Sequence, residues 1–256
     1  TGASILTDIE SMPRPLLFWR SLTQWLGGIG IVVLFVALLS ELGPGARFLF
    51  KLEVPGPKSE IMHARVQETA FALFRIYVGL SLAQATTMML CGASFFDALT
   101  HTFSTVSTGG FSPYTDSVAH FGALNQVVIL LFMLASGINF ALYYALLRRR
   151  DGSILRDLEL RVYLLIAGLA SAVVAFNIFG TDAHPAFASA ALNGTFQVVS
   201  LLTTTGFATV DFAEWSGTAH AILVSLMFVG GCAGSTAGGT KVIRVLIGWA
   251  IAIREV

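Results

Sequence analysis

The sequence has little charge. Only 12% of its 256 residues are charged, whereas 55% are hydrophobic and the mean hydropathy is +0.77. A soluble domain carries about 25% charged residues and under half apolar ones. So few charges cannot cover a surface that faces water. The composition therefore predicts that a lipid bilayer surrounds much of the chain.

Cysteine and histidine are also scarce, and their placement excludes several kinds of site. Cys91 and Cys232 each lie alone in an apolar stretch, so we expect neither a disulfide framework nor a cysteine metal site. The five histidines form no pair at the helical spacing of metal ligands. His101 is interpreted as a packed histidine rather than a proton relay. We find no Ser-His-Asp or paired-carboxylate arrangement, and we expect neither an enzyme nor a covalently bound cofactor.

Long apolar runs are abundant, and they predict the transmembrane organisation. A helix that crosses a bilayer needs about 20 mostly apolar residues. Five runs long enough to cross are present, at residues 17–39, 70–90, 122–147, 161–179 and 218–253. The last run is interrupted by glycines. Two shorter apolar runs, at residues 94–106 and 185–202, are too short to cross and are predicted to be re-entrant.

Charged residues are distributed asymmetrically between these runs. Basic residues cluster after the first and third runs and at the C-terminal end: Arg47, Lys51, Lys58, Arg65, Arg148, Arg149, Arg150, Arg156, Arg161, Lys241, Arg244 and Arg254. The other loops are mostly acidic: Asp8, Glu10, Asp97, Asp116, Asp182, Asp211 and Glu214. The positive-inside rule predicts cytoplasmic basic loops and external acidic ones, so the re-entrant runs enter from outside. The basic clusters are interpreted as orientation signals, and no nucleic-acid partner is expected.

Three short strings resemble one another: Thr1-Gly2-Ala3-Ser4, Gly109-Gly110-Phe111-Ser112 and Thr205-Gly206-Phe207-Ala208. Their glycines at 2, 110 and 206 recur at intervals of 108 and 96 residues, and an acid follows each string, at Asp8, Asp116 and Asp211. The repeating unit is a span, a re-entrant run, a Thr/Gly turn and a second span. Such repetition is common in membrane transport proteins. The acids either attract cations or cap the next helix, and both alternatives stay open.

The Thr/Gly turns suit a cation pathway. A cation that leaves water needs other oxygens, and consecutive backbone carbonyls supply them when they point at one axis. Such an arrangement requires backbone dihedrals that glycine adopts and other residues resist. Irregular backbone at membrane depth is tolerated only where it is buried in protein or lines a water-filled cavity. An ordinary loop would explain one such turn, but three copies favour a pathway.

Four strings resemble TrkH-type potassium uptake proteins of the Trk/Ktr/HKT superfamily. They are FWRSLTQWLGGIG at 18–30, STGGFS at 107–112, TTTGFAT at 203–209 and GGCAGSTAGGTK at 230–241. The resemblance implies an all-α polytopic membrane protein, with M1-P-M2 repeats and re-entrant pore loops around a pseudo-fourfold pore. Residues 1–66 would then end the first repeat, 67–156 would form the second and 157–256 the third. The first M1, the first pore helix and the fourth repeat are expected to be absent from this chain.

The resemblance also implies roles for individual residues. Carbonyls that bind K⁺ are expected from Thr1, Gly2, Thr108, Gly109, Gly110, Thr204, Thr205 and Gly206. A loop that gates the pore below this filter is expected from Gly230, Gly231, Gly234, Ser235, Thr236, Gly238, Gly239 and Lys241. Lys241 either steadies the gate or lies at the cytoplasmic interface. The presence of Gly2, where some relatives have serine, favours potassium over sodium.

At the level of the assembly, the resemblance implies a homodimer in the bacterial inner membrane. A cytosolic nucleotide-binding regulatory subunit similar to TrkA would gate it, and K⁺ would be the substrate. The alternative function is an ion-coupled secondary carrier with broken helices. An alternative also exists for the gate, because Gly230, Gly234 and Gly238 fit a helix-packing pattern that predicts a continuous helix. The number of glycines in that stretch favours a break instead.

Overall fold

The computed structural model describes residues 4, 6, 8–41, 59–149, 156–181 and 183–254. Within these ranges the regular elements are helices, accompanied by two isolated β-bridges. The helices are α1 Arg14–Glu41, α2 Ser59–Leu90, α3 Phe95–Val106, α4 Ala123–Ser136, α5 Phe140–Arg149, α6 Leu158–Ile178, α7 Phe187–Leu202, α8 Gly217–Phe228 and α9 Val242–Arg254. The predicted all-α class is therefore confirmed.

Two helices among the described residues are long and apolar enough to cross a membrane, Ala70–Leu90 within α2 and Leu158–Ile178, which is α6. They correspond to the predicted spans 70–90 and 161–179. The predicted span 17–39 falls within α1. The exposed face of α6 is apolar, as a helix against lipid requires: Leu164, Leu165, Leu169, Val173 and Phe176.

The third predicted span, residues 122–147, is formed by two helices that together are long and apolar enough to cross a membrane, and not by one continuous helix. α4 ends at Ser136, α5 begins at Phe140, and the two helices are bent by 89° at the break. The side chain of Asn139 accepts a hydrogen bond from the backbone N of Ala141 at 2.9 Å and so helps α5 to begin anew. The sequence hides this break because apolar residues continue on both sides of it.

The fifth predicted span, residues 218–253, is interrupted where its glycines lie. α8 ends at Phe228, α9 begins at Val242, and residues 229–241 lie outside any helix. The predicted break is therefore present. The continuous helix that the small-residue packing pattern predicted is not formed.

α3 and α7 coincide with the two predicted re-entrant runs. They have 12 and 16 residues, which correspond to about 18 and 24 Å, short of the ~30 Å hydrocarbon core. The side chain of Ser94 caps α3 by accepting a hydrogen bond from the backbone N of Asp97 at 3.1 Å. Helices α1, α2 and α4 contact α3, while α4, α6 and α8 contact α7. Both short helices are therefore enclosed by other helices.

The acids that follow the turns do not cap the next helices. Gly122 precedes α4 without a side-chain cap, and Ser216 caps α8. The carboxylate of Asp211 accepts a hydrogen bond from the backbone N of Ala213 within its own loop, at 2.9 Å. The capping alternative is therefore wrong for Asp116 and Asp211, and both residues are exposed.

Candidate functional site

Two turns with the same backbone geometry lie at the C-terminal ends of α3 and α7. We call residues 107–112 the second turn and residues 203–208 the third turn. Positive φ angles occur at equivalent positions, at Thr108 (52°), Gly110 (75°), Thr204 (56°) and Gly206 (88°). A positive φ is uncommon for a residue with a side chain. Its recurrence at both threonines shows that the two turns share one backbone conformation.

The same hydrogen bonds form both turns. The carbonyl oxygen of Ser104 accepts hydrogen bonds from the backbone nitrogens of Gly109 at 2.8 Å and Gly110 at 3.2 Å. The carbonyl oxygen of Ser200, 96 residues further along, accepts hydrogen bonds at the two equivalent positions, at 2.9 and 3.3 Å. The repeat that the sequence indicated is thus present in the backbone geometry of the two turns.

Among the residues that the structure describes, several carbonyl oxygens of both turns have no donor. No hydrogen bond from a residue in the described ranges reaches the carbonyl oxygens of Thr108, Gly110, Thr204, Thr205 and Gly206. Thr108 and Thr205 are buried, and buried carbonyls are nearly always paired. A set of unpaired oxygens in two adjacent turns is the arrangement that a dehydrated cation needs.

The two turns touch each other. A Cβ atom on Gly110 would overlap the carbonyl oxygen of Thr205, so the second turn fits against the third only because residue 110 has no side chain. Further out, the backbone N of Val118 donates to the carbonyl oxygen of Ala208 at 3.1 Å. The turns therefore form one unit rather than two separate loops.

Side chains of α1 hold the second turn. Gln24 donates through Nε2 to the carbonyl oxygen of Gly109 at 3.0 Å, and its Oε1 accepts from the backbone N of Phe111 at 3.2 Å. Arg20 donates to the carbonyl oxygen of Ser112 at 3.1 Å, and its guanidinium lies 3.9 Å from the centre of the Phe111 ring. Sequence reasoning missed Gln24 because its partners lie 85 and 87 residues away.

The third turn is supported by its own helix. The hydroxyl of Ser200 donates to the carbonyl oxygen of Phe207 at 2.6 Å, and the hydroxyls of Thr203 and Thr205 are 2.8 Å apart. Ser104 is the equivalent of Ser200 in α3, yet its buried hydroxyl has no hydrogen-bond partner among the described residues. The same residue type therefore supports one turn and not the other.

A tyrosine and a glycine recur beside each turn. Tyr77 of α2 donates its hydroxyl to the carbonyl oxygen of Trp25 at 3.0 Å. Gly28 of α1 leaves no room for a side chain between Tyr77 and Ser107. The equivalent set is Tyr163, Leu134, Gly137 and Thr203, with the tyrosine hydroxyl 3.1 Å from the carbonyl oxygen of Leu134. These contacts join α1 to α2 and α4 to α6. The apolar sequence around each tyrosine carried no signal for them.

Residues 229–241, which we call the glycine loop, contact both turns. The carbonyl oxygen of Thr236 accepts a hydrogen bond from the hydroxyl of Thr108 at 2.9 Å. The backbone N of Gly238 donates to the hydroxyl of Thr204 at 2.6 Å. The loop thus contacts each turn through the threonine that has a positive φ angle.

The glycines of this loop allow its beginning and its end to lie against each other. A Cβ atom on Gly230 would overlap the carbonyl oxygen of Gly238, and one on Gly231 would lie too close to the side chain of Ala237. Gly234 and Gly239 have positive φ angles of 73° and 70°. The backbone N of Gly230 also donates to the carbonyl oxygen of Thr240 at 2.8 Å. Larger residues at these positions would prevent the loop from closing on itself.

Two side chains add hydrogen bonds within the loop. The hydroxyl of Ser235 donates to the carbonyl oxygen of Cys232 at 2.6 Å, and Nζ of Lys241 donates to the carbonyl oxygen of Ala237. Lys241 is half-buried. Lys241 therefore bonds within the loop, and both alternatives for its role stay open.

The glycine loop also fills the break between α4 and α5. The carbonyl oxygen of Gly137 accepts a hydrogen bond from the backbone N of Cys232 at 2.9 Å, and the backbone N of Phe140 donates to the carbonyl oxygen of Gly234 at 3.0 Å. A break in a membrane helix frees such backbone groups, which then need new partners. The glycine loop therefore provides partners for the backbone groups at the break between α4 and α5.

A cavity of about 600 Å³ lies beside the second turn. It is lined by α1, both turns and the glycine loop, including Gln24, Gly28, Thr108, Thr204, Thr236 and Gly238. Water occupies about 30 Å³ per molecule in the liquid, so the cavity has room for a hydrated cation next to the unpaired carbonyls.

His101 is fully buried within α3. Its Nδ1 donates to the carbonyl oxygen of Asp97 at 2.9 Å, its Nε2 lies 3.0 Å from the hydroxyl of Ser112, and its ring meets Phe121 edge-on at 4.7 Å. These contacts agree with the interpretation of a packed histidine. It contacts the C-terminal end of the second turn through Ser112.

The predicted site residues fall into three groups. Thr1 and Gly2 lie outside the described residues. The other predicted filter residues lie in the second and third turns, and the predicted gate residues lie in the glycine loop, which contacts both turns. Gly109 differs from the rest because its carbonyl oxygen is bonded to Gln24 and keeps one lone pair for another ligand.

The whole chain, residues 1–256, matches a family model described as TrkH, a cation transport protein. It is 39% identical over 259 residues to the Trk system potassium uptake protein TrkH of Halomonas elongata, which aligns all of this chain with 54% of that protein. It is 40% identical over 253 residues to TrkH of Escherichia coli strain K12, covering 96% of this chain and 52% of that protein. The chain spans about half the length of the curated relatives it matches.

The fold is similar to that of a solved structure, the crystal structure of the potassium transporter TrkH from Vibrio parahaemolyticus. The TM-score is 0.84 at 35% sequence identity, and the match covers 99% of this chain and 52% of that chain. The similarity therefore includes both the arrangement of the helices and the sequence.

Proposed function

Because the chain belongs to the TrkH family of cation transport proteins, we propose that it contributes to a pore-forming subunit for potassium uptake across a bacterial inner membrane. The second and third turns supply part of a selectivity filter, and the glycine loop is the gate. Potassium is the cation named for its relatives in Halomonas and Escherichia.

The unpaired carbonyl oxygens of the two turns are the observation that carries this proposal. Positive φ at Thr108, Gly110, Thr204 and Gly206 gives the two turns matching backbone geometry. Carbonyl dipoles can replace the hydration shell of a cation. In this proposal the five free carbonyls bind K⁺ directly, while Gly109, already bonded to Gln24, contributes at most one lone pair.

The position of the glycine loop supports its role as a gate. It is bonded to Thr108 and Thr204 at the inner base of the turns, so a cation that leaves the turns meets this loop next. The bonds are few, and glycine backbones change conformation at little steric cost. Movement of the loop away from the two threonines would open the way to the cytoplasm.

The orientation and the partners are further parts of the proposal. The acidic loops face outward and the basic loops inward, as the positive-inside rule requires. On the family resemblance we also propose a homodimer and a cytosolic nucleotide-binding regulatory subunit similar to TrkA. The exposed acids Asp8, Asp116 and Asp211 would then raise the cation concentration at the outer mouth.

A shortened glycine loop tests the proposal. Residues 234–238 would be deleted from the full-length protein, and K⁺ and Na⁺ uptake would be measured in reconstituted vesicles. We expect higher flux with an unchanged preference for K⁺, because the gate is removed and the filter is kept. Unchanged flux at equal protein would contradict the gate, and loss of the K⁺ preference would contradict the separation of gate from filter.

The alternative function, an ion-coupled secondary carrier, is favoured by the 89° break between α4 and α5, because carriers build their binding sites from discontinuous helices. The two functions differ in energetics. K⁺ movement through a pore follows the K⁺ electrochemical gradient alone, at about 2.3 kcal/mol per charge per 100 mV. Uptake that stops when a proton or sodium gradient is removed, at constant membrane potential, would favour the carrier.

A further inference from the structure

Glu159 connects the glycine loop to the helix that follows it. Glu159 lies in the first turn of α6 and is only 9% exposed. Its Oε1 accepts hydrogen bonds from the backbone N of Ala233 at 2.7 Å and from the backbone N of Ile243 at 3.1 Å. Ala233 belongs to the glycine loop and Ile243 to the first turn of α9. One carboxylate oxygen therefore bonds to both.

The chemistry of this contact makes it a strong one. Hydrogen bonds from backbone N–H groups to a carboxylate are charge-assisted and roughly twice as strong as neutral ones. The N-terminus of α9, where Ile243 lies, also favours a negative charge. A buried carboxylate is stable only when such donors surround it. Among the described residues, Glu159 is the one carboxylate that bonds to the backbone of the glycine loop.

The two donors, the N–H groups of Ala233 and Ile243, would be displaced differently by a movement of the loop. Ile243 is part of α9 and moves with that helix. Ala233 lies in the non-helical loop next to Cys232, which is bonded to the break between α4 and α5. Detachment of the loop from the two turns would therefore pull Ala233 away from Glu159 while the bond to Ile243 stays in place.

We propose that Glu159 is a positioning residue that latches the glycine loop in the closed position. The inference rests on the gating role proposed above. The carboxylate stays on α9 and exchanges its bond to Ala233 for water when the loop opens. Removal of the carboxylate would shift the loop toward the open position without altering the second and third turns.

Cys232 provides a reporter for this shift, because it is fully buried and adjacent to Ala233. The full-length protein would carry Cys232 as its one cysteine, with Cys91 and any other cysteine replaced by serine. The reaction of Cys232 with N-ethylmaleimide would be timed in vesicles. We expect Glu159→Ala to raise the labelling rate about tenfold, equivalent to about 1.4 kcal/mol. Glu159→Gln keeps the side-chain shape and one acceptor oxygen but carries no charge, so its Cys232 labelling rate should be intermediate.

Asp157→Ala is the matched control. Asp157 lies two residues away and caps α6 by accepting a hydrogen bond from the backbone N of Leu160 at 2.8 Å, and among the described residues it makes no hydrogen bond to the glycine loop. Its removal should accelerate Cys232 labelling much less than the removal of Glu159 does, because it takes away a negative charge near the thiol but no hydrogen bond from the loop. Equal acceleration by Asp157→Ala would show that a loosened α6, not the lost latch, exposes the cysteine. That result, or unchanged labelling in both Glu159 variants, would overturn the inference.

Potassium flux in the same vesicles separates the latch from the gate. Faster labelling with higher flux and an unchanged K⁺ preference supports both. Faster labelling with unchanged flux would keep Glu159 as the tether of the loop but overturn the gating role of the loop itself. If Glu159→Ala does not fold, Glu159→Gln carries the test, and a labelling rate equal to wild type then overturns the latch.

Discussion

The second and third turns have the same backbone geometry, but different side chains maintain it. Gln24 and Arg20, both on α1, hold the second turn from a neighbouring element. The third turn is held by Ser200, on the helix that leads into it. The dihedrals and the carbonyl bonds to the preceding helix are shared, so these are the features that cation binding would require. The supporting side chains are interchangeable in principle, and mutations can test how independent the two supports are.

The largest difference between the turns is expected at their glycines. An alanine at Gly110 meets both a positive φ and the carbonyl oxygen of Thr205, whereas Gly206 is exposed and has a positive φ of 88°. Backbone strain of this kind costs about 1–3 kcal/mol, and the overlap adds to it. Gly110→Ala should therefore reduce K⁺ uptake and K⁺ preference more than Gly206→Ala, measured in vesicles at equal protein.

Gly168→Ala is the control for both substitutions, because a Cβ there has no neighbour within 4 Å. Uptake by this variant should equal that of the wild type. If Gly110 and Gly206 tolerate alanine as well as Gly168 does, the turns are ordinary loops. Equal losses at the two glycines would mean that the contact between the turns is unimportant.

The next largest effect is expected at Gln24. Gln24→Ala removes both hydrogen bonds to the second turn and leaves the Phe111 N–H without this partner, at a cost of about 1–3 kcal/mol. The thermal unfolding temperature and the K⁺/Na⁺ uptake ratio should both fall. Gln24→Glu sharpens the test, because it keeps the acceptor for Phe111 but cannot donate to Gly109. A selectivity change in the alanine variant alone would assign the effect to Phe111.

A smaller effect is expected at the paired serines. Ser200→Ala removes the hydrogen bond to Phe207, worth about 0.5–1.5 kcal/mol. Ser104→Ala removes a hydroxyl that has no partner among the described residues, so it should be neutral or slightly stabilising. Unfolding temperatures of the two variants in detergent measure the difference. Equal destabilisation would show that the second turn depends on its own helix as much as the third does.

The smallest effect is expected at Glu10, which ties the start of the chain to the loop after the second turn. Hydrogen bonds from Thr115 lower the pKa of the Glu10 carboxyl from its ordinary value of 4.5. A lowered pKa adds stability above about pH 4.5, and this stability is lost as the pH falls through the folded-state pKa. Glu10→Gln should flatten that part of the pH dependence of unfolding. An identical pH profile in the variant would exclude the contribution.

Much of the helical organisation could be predicted because it depends on local properties. Run length separates α2 and α6, which can cross a membrane, from α3 and α7, which cannot. The interruption of the last span also follows from local composition, since so many glycines disfavour a helix. The positions of the turns were visible because threonine and glycine recur where backbone conformation is unusual.

The features that the sequence did not reveal depend on distant partners. The break between α4 and α5 follows a single glycine in an apolar run, and its new bonds come from the glycine loop. Gln24, inside α1, and Glu159, in the first turn of α6, look like ordinary polar residues of a helix. Their hydrogen bonds nevertheless join residues far apart in the sequence, 85 positions for Gln24 to Gly109 and 74 for Glu159 to Ala233. No local pattern encodes such a pair.

The bonds between the glycine loop and the broken helix have a consequence for biosynthesis. Phe140 is translated about 94 residues before its acceptor Gly234, a delay of roughly 5 to 20 s at 5–20 residues per second. During that interval the break between α4 and α5 has no loop to bond, and unpaired backbone groups are costly in hydrocarbon. The second repeat would therefore enter the membrane before its hydrogen bonds are complete. The backbone groups at the break would bond to water or to the insertion machinery until the third repeat is inserted.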